Sequence, residues 1–160
     1  MRNISSATLN ALLRDDIFTR LEYGVFYVKN DDDATIERST FLLKYWFTTL
    51  KQDVQIWWEA GANQGKGGMA TDKGVTVYLL VLKEVISSLL RTKYHSLTAL
   101  STQELGELLQ PYASRISRHL TTFSDVDRQA FRDHCRTKRG LTQQVEIFQE
   151  LLRKEGLLSL

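Results

Sequence analysis

A glycine-rich run, Trp57-Trp58-Glu59-Ala60-Gly61-Ala62-Asn63-Gln64-Gly65-Lys66-Gly67-Gly68-Met69-Ala70-Thr71-Asp72-Lys73-Gly74, interrupts a chain whose apolar residues otherwise recur at helical spacing. Four of the nine glycines fall between Gly61 and Gly68, around one lysine. Upstream, Leu43, Trp46, Phe47, Leu50, Val54 and Trp57 form one stripe, which predicts a helix from about Thr35 to about Trp58. Downstream, Thr71 or Asp72 caps a helix carrying Val75, Tyr78, Leu79, Leu82, Ile86, Leu89 and Leu90. Its apolar residues cover nearly every face between Val75 and Leu82, so this helix is expected to be central. The run is therefore a helix–helix connection inside one all-α fold.

The rest of the chain extends that pattern. Leu9, Leu12, Leu13, Ile17 and Leu21 lie on one helix face. Residues 23–28 are the one place for a minor strand, although Gly24 weakens it. Asn30-Asp31-Asp32-Asp33 reads as a polar turn with Asp33 as the next cap, a better account than a cation site because no calcium-loop pattern follows. Ser101-Thr102-Gln103-Glu104 has capping-box spacing and predicts a short helix, and Pro111 is placed in the first turn of another. Ser124 caps a segment through about Arg136, Gly140 is a break, and Thr142 opens the last helix, with Val145, Phe148, Leu151 and Leu152 inward. No repeat and no Pro- or Ser-rich linker divides the chain, so residues 1–160 read as a single-domain bundle of about six helices.

Composition narrows the function classes. No apolar run reaches the roughly 18 residues of a membrane span, and Met1-Arg2-Asn3-Ile4-Ser5-Ser6 lacks a secretory apolar segment. Cys135 is the single cysteine, which rules out an internal disulfide and a thiolate metal cage and fits a cytoplasmic setting. Net charge is only +2, but residues 61–100 carry five Lys/Arg against two Asp/Glu, and residues 111–140 carry seven against three. Two mildly basic regions result, a distribution compatible with phosphate contacts.

The glycine run is not a nucleotide-binding P-loop. Ala60 stands where that motif needs its first glycine, and Gly67 replaces the magnesium-binding hydroxyl after Lys66. What remains is a basic loop feeding a helix N-terminus, where Asn63, Gly65, Lys66, Gly67, Gly68 and Lys73 are candidate phosphate contacts. The competing role is a plain surface turn joining antiparallel helices. Trp57 fits the core stripe, so Trp58 is the candidate for stacking a base, with packing on a neighbouring helix the commoner role. Arg132, Arg136, Lys138 and Arg139 form a second candidate contact surface. A structural reason competes there too: placed at the end of a helix, these cations would meet the dipole favourably. His95, His119 and His134 are far apart with no metal-ligand spacing, and adjacent His134 and Cys135 point apart on a helix. No catalytic residue, metal or cofactor is expected.

Trp58, Gly65-Lys66-Gly67-Gly68, Thr71-Asp72-Lys73-Gly74-Val75 and the helix Tyr78–Leu89 together resemble the C-terminal helical part of DGQHR-domain proteins. Arg136–Gly140 followed by Thr142–Leu152 is similar to that family's terminal glycine-and-helix ending. The likeness covers about a third of the chain. The family includes DndB-type regulators of DNA phosphorothioation and relatives near other DNA-modification and defence genes. Its N-terminal part resembles a ParB-like nuclease fold and carries an Asp-Gly-Gln-His-Arg signature. That signature is absent here, so the resemblance implies a C-terminal part or a stand-alone relative, and no catalytic residue is carried over. It implies a non-enzymatic helical domain assisting DNA binding or complex assembly in a prokaryotic DNA-modification or defence system. The alternative is a protein–protein interaction or homo-oligomerisation module, suited by the amphipathic helix Thr142–Leu152 and the apolar tail Leu157-Leu158-Ser159-Leu160.

Overall fold

The computed structural model describes Phe18, residues 24–59, Met69 and residues 71–158. Among these residues the chain is all-α, with helices α1 (Asp32–Lys51), α2 (Gln55–Glu59), α3 (Asp72–Thr92), α4 (Thr102–Leu120), α5 (Asp125–His134) and α6 (Lys138–Lys154). Residues 24–28 are turn and irregular backbone rather than strand. The Phe26 amide donates to the Phe18 carbonyl, and the Val25 carbonyl accepts from Arg38, so this backbone finds side-chain and loop partners instead of a second strand.

The helix ends follow cap chemistry. Asp31, not Asp33, caps α1, its carboxylate accepting from the Ala34 amide at 2.8 Å. Asn30 takes a left-handed φ of 58° inside the expected polar turn, and the cap falls two residues earlier than Asp33. Thr71 caps α3 through the Gly74 amide at 3.1 Å. Ser101–Glu104 and Ser124–Asp127 both close reciprocal capping boxes.

Four expected boundaries move. The helix expected over Thr35–Trp58 divides at residues 52–54, where the Asp53 amide donates to the Ser117 hydroxyl at 3.2 Å. Pro111 opens no new helix; α4 runs through it without interruption. Leu105 and Leu109 before the proline continue into Tyr112, Ala113, Ile116 and Leu120 after it as one buried stripe. Burial at about 1.5–3 kcal/mol per large apolar side chain outweighs the roughly 3 kcal/mol that an interior proline costs. Gly140 is not a break, and α6 starts at Lys138 rather than Thr142, with Thr137 as its cap. Arg136–Gly140 therefore does not end a helix: Arg136 follows α5, while Lys138 and Arg139 open α6.

α3 is central. Val77, Tyr78, Val81, Leu82 and Val85 are fully enclosed, as its all-round apolar sequence requires. α1 packs mainly on α4 and α3 mainly on α6, with α5 wedged against α3 and α6. Gly106 lets α4 approach the Tyr45 ring, which a Cβ there would meet at 3.2 Å. The C-terminal tail folds back. Gly156, at φ +69°, lets the Leu157 amide reach the Leu152 carbonyl, and Leu158 is buried in the same core.

Candidate nucleic-acid interface

Of the candidate phosphate contacts in the glycine run, Asn63, Gly65, Lys66, Gly67 and Gly68 lie outside the described residues. The segments that border the run are described, and both rest on α5. On the upstream side, the Arg128 guanidinium of α5 lies 4.2 Å from the ring centre of Trp57. On the downstream side, a Cβ at Gly74 would meet the Phe131 ring of α5 at 3.3 Å and the Met69 carbonyl oxygen at 2.5 Å. Only glycine allows the first turn of α3, which carries exposed Lys73, to sit so close.

Trp58 lies against the core. Its ring stacks on Tyr78 with centroids 5.3 Å apart and leans on Phe47 at 6.1 Å. Tyr78 in turn stacks on Phe131 and contacts Phe148. Trp57 is the tryptophan that meets a cation. Both tryptophans are half-buried and pack against the core, Trp57 as its stripe position requires and Trp58 in the packing role rather than as a stacking platform.

Burial sets the chemistry of this core. It raises the Tyr78 hydroxyl well above its ordinary pKa, with a smaller push from Cys135. It pushes the Cys135 thiol up to about 11, so that thiol is an inert packing group rather than a nucleophile.

Arg132, Arg136, Lys138 and Arg139 come together at the α5–α6 corner. Arg132 is half-buried and donates to the Gln129 side chain. Arg136 is exposed and pairs with Asp133 at 3.5 Å. Lys138 and Arg139 are exposed, and neither forms an ion pair with a described residue. No acidic side chain occupies the first turn of α6. The corner opens onto a shallow depression of about 580 Å³ lined by Lys138, Arg139, Thr142, Gln143 and Glu146.

Gly140 fixes the corner. A Cβ there would fall onto the His134 carbonyl, 2.7 Å from its carbon, so α6 begins in direct backbone contact with the end of α5. A threonine three residues before Gly140 is the sequence signal that marks this helix start, and reading Gly140 as a break passed over it.

Sequence reasoning also missed Arg128 as a buried organiser. Its guanidinium donates to the Phe123 carbonyl and pairs with Asp125 while facing Trp57. Among the described residues no group of three or more His, Cys, Asp or Glu side chains is placed to hold a metal ion. No helix among them is long and apolar enough to cross a membrane. Comparisons with protein-family models, curated proteins and solved structures gave no match.

Proposed function

We propose that this chain is a non-enzymatic helical module that binds nucleic-acid phosphate at the α5–α6 corner, with Arg136, Lys138 and Arg139 as the main contacts and Arg132 behind them. DNA is the polymer that the DGQHR-domain resemblance favours, in a modification or defence complex. The observation that carries this reading is the position of Lys138 and Arg139. They sit at the positive end of the α6 dipole, where cations are unfavourable, with no carboxylate in the first turn to offset them. The dipole of α6 itself therefore gives no folding reason for cations at these two positions. Exposed positive charge at the α6 N-terminus suits an anion instead.

The oligomerisation reading draws less support. Leu157 and Leu158 are satisfied within their own chain, so the described part of the tail offers no apolar patch. The test is binding to a DNA oligonucleotide over a series of salt concentrations. Replacing Lys138 and Arg139 together by alanine should weaken binding and flatten the slope of log K against log salt by about 1.5. An unchanged affinity and slope would remove the corner from the interface.

A further inference from the structure

A second depression, of about 640 Å³, continues from the corner along α6, and Gln143 and Glu146 line both. Its walls are His119 from the end of α4, His134 from the end of α5, and Ile147, Glu150 and Leu151 of α6. From Arg139 to Ile147 the trough runs roughly 12 Å along the helix axis.

The trough is polarised. One end carries Lys138 and Arg139; the middle carries the Glu146 carboxylate; the far end has an apolar floor in Leu151 and Ile147, which is 46% exposed, rimmed by the Lys154–Glu150 ion pair at 3.6 Å. Two imidazoles edge it. The Gln144 amide nitrogen lies 3.2 Å from His134 Nδ1, which ties the imidazole to α6. His119 meets Phe123 and Phe148 edge-on. Burial, and then the charge of Arg115, lower its pKa and keep it neutral.

We infer that this trough takes an unpaired base of a single-stranded nucleic acid whose phosphate is held by Lys138 and Arg139. The inference rests on the phosphate role proposed for the corner. The cationic end suits phosphate, and the carboxylate of Glu146 repels it but accepts from an exocyclic amine. The apolar floor and imidazole edges suit a flat, partly apolar ring. A base within a duplex is stacked and paired, so only an unpaired base can enter. Cytosine offers an N4 amine where thymine offers an O4 acceptor, so Glu146 favours cytosine.

The probes are oligo-dC, oligo-dT and an abasic strand of equal length, each of roughly a dozen nucleotides. Wild-type protein should bind oligo-dC roughly tenfold tighter than the abasic strand, the order of one stacked base, and tighter than oligo-dT. Ile147→Ala should lower oligo-dC affinity towards the abasic value without changing the salt slope. Glu146→Ala should erase the dC-over-dT preference. Both positions are exposed, so neither change threatens folding. Equal wild-type affinity for all three strands, or a preference for duplex, overturns the base site while the phosphate corner stands. Failure of every probe to bind in a salt-dependent way overturns the corner, and the base site with it.

Discussion

The guanidinium of Arg128 lies 4.2 Å from the ring centre of Trp57, tying the helix before the glycine run to the helix that leads into the basic corner. The same guanidinium holds the Phe123 carbonyl at 2.6 Å, so one side chain locks three segments. Arg128→Ala should therefore destabilise the fold by about 3 kcal/mol, combining a charged hydrogen bond with a desolvated cation–π contact. Arg128→Lys should recover only part of this, because an ammonium cannot reproduce the planar fork. Urea unfolding of the two variants checks the order.

The helical bundle was legible in the sequence, from the periodicity of Leu43–Leu50 and from an apolar pattern that starts at Val75 and continues through Leu82, Ile86, Leu89 and Leu90, too long for an ordinary strand. The capping box at Ser101 and the cap at Ser124 were legible for the same local reason, whereas the reciprocal Asp127 half of the Ser124 box was not. The failures involve partners distant in sequence. Ser117 lies 64 residues from the amide it captures in the turn after α1, and no window around Thr35–Trp58 contains it. Pro111 is a helix breaker by propensity, but the burial of Leu109 and Tyr112 on either side of it decides otherwise. For the candidate site, the residue types at Arg132–Arg139 were visible, but which end of a helix they occupied was not. That depended on whether Gly140 stopped one helix or let the next approach.

Lys138 and Arg139 should show opposite effects on stability and binding. Changing both to glutamate replaces unfavourable dipole interactions with favourable ones and should raise stability by about 1 kcal/mol. The same change should abolish salt-dependent DNA binding. Thermal melting beside a binding titration measures both, and a loss of stability would contradict the assignment of these residues to the α6 N-terminus.

Gly140→Ala should cost about 3 kcal/mol, at the upper end of overpacking penalties, because the clash is with the His134 backbone rather than a movable side chain. Alanine in an ordinary helix interior stabilises relative to glycine. A destabilising result by chemical denaturation therefore isolates the close approach.

Ser117→Ala leaves the Asp53 amide without its acceptor in the turn between α1 and α2. The expected loss is about 1 kcal/mol. Hydrogen exchange should show that amide losing protection before those of α1.

Acidification should act in two stages. Burial, and then Arg115, depress the folded pKa of His119, so its stabilising contribution is full above the unfolded value of about 6.5 and is lost as pH falls through the lower folded value. Hydrogen bonds from Ser101 and Ser124, first from their hydroxyls and then from their amides, hold Glu104 and Asp127 below the usual carboxylate range. Their contribution is full above about pH 4 and is lost below it. Denaturation midpoints against pH should lose the first stage in His119→Phe and the second in the Ser101→Ala, Ser124→Ala double variant.

Arg38 gathers the Val25, Leu97 and Leu100 carbonyls onto one buried guanidinium at 2.8, 3.2 and 2.8 Å, reaching up to 62 residues along the chain. Closing so wide a circuit carries a loop-closure penalty that is repaid only once α1 and α4 have already met. Arg38 is thus a latch between two segments distant in the chain. A nascent chain interrupted before Leu97 holds only the Val25 carbonyl of the three, and its Arg38 guanidinium stays hydrated until the second half of the bundle emerges.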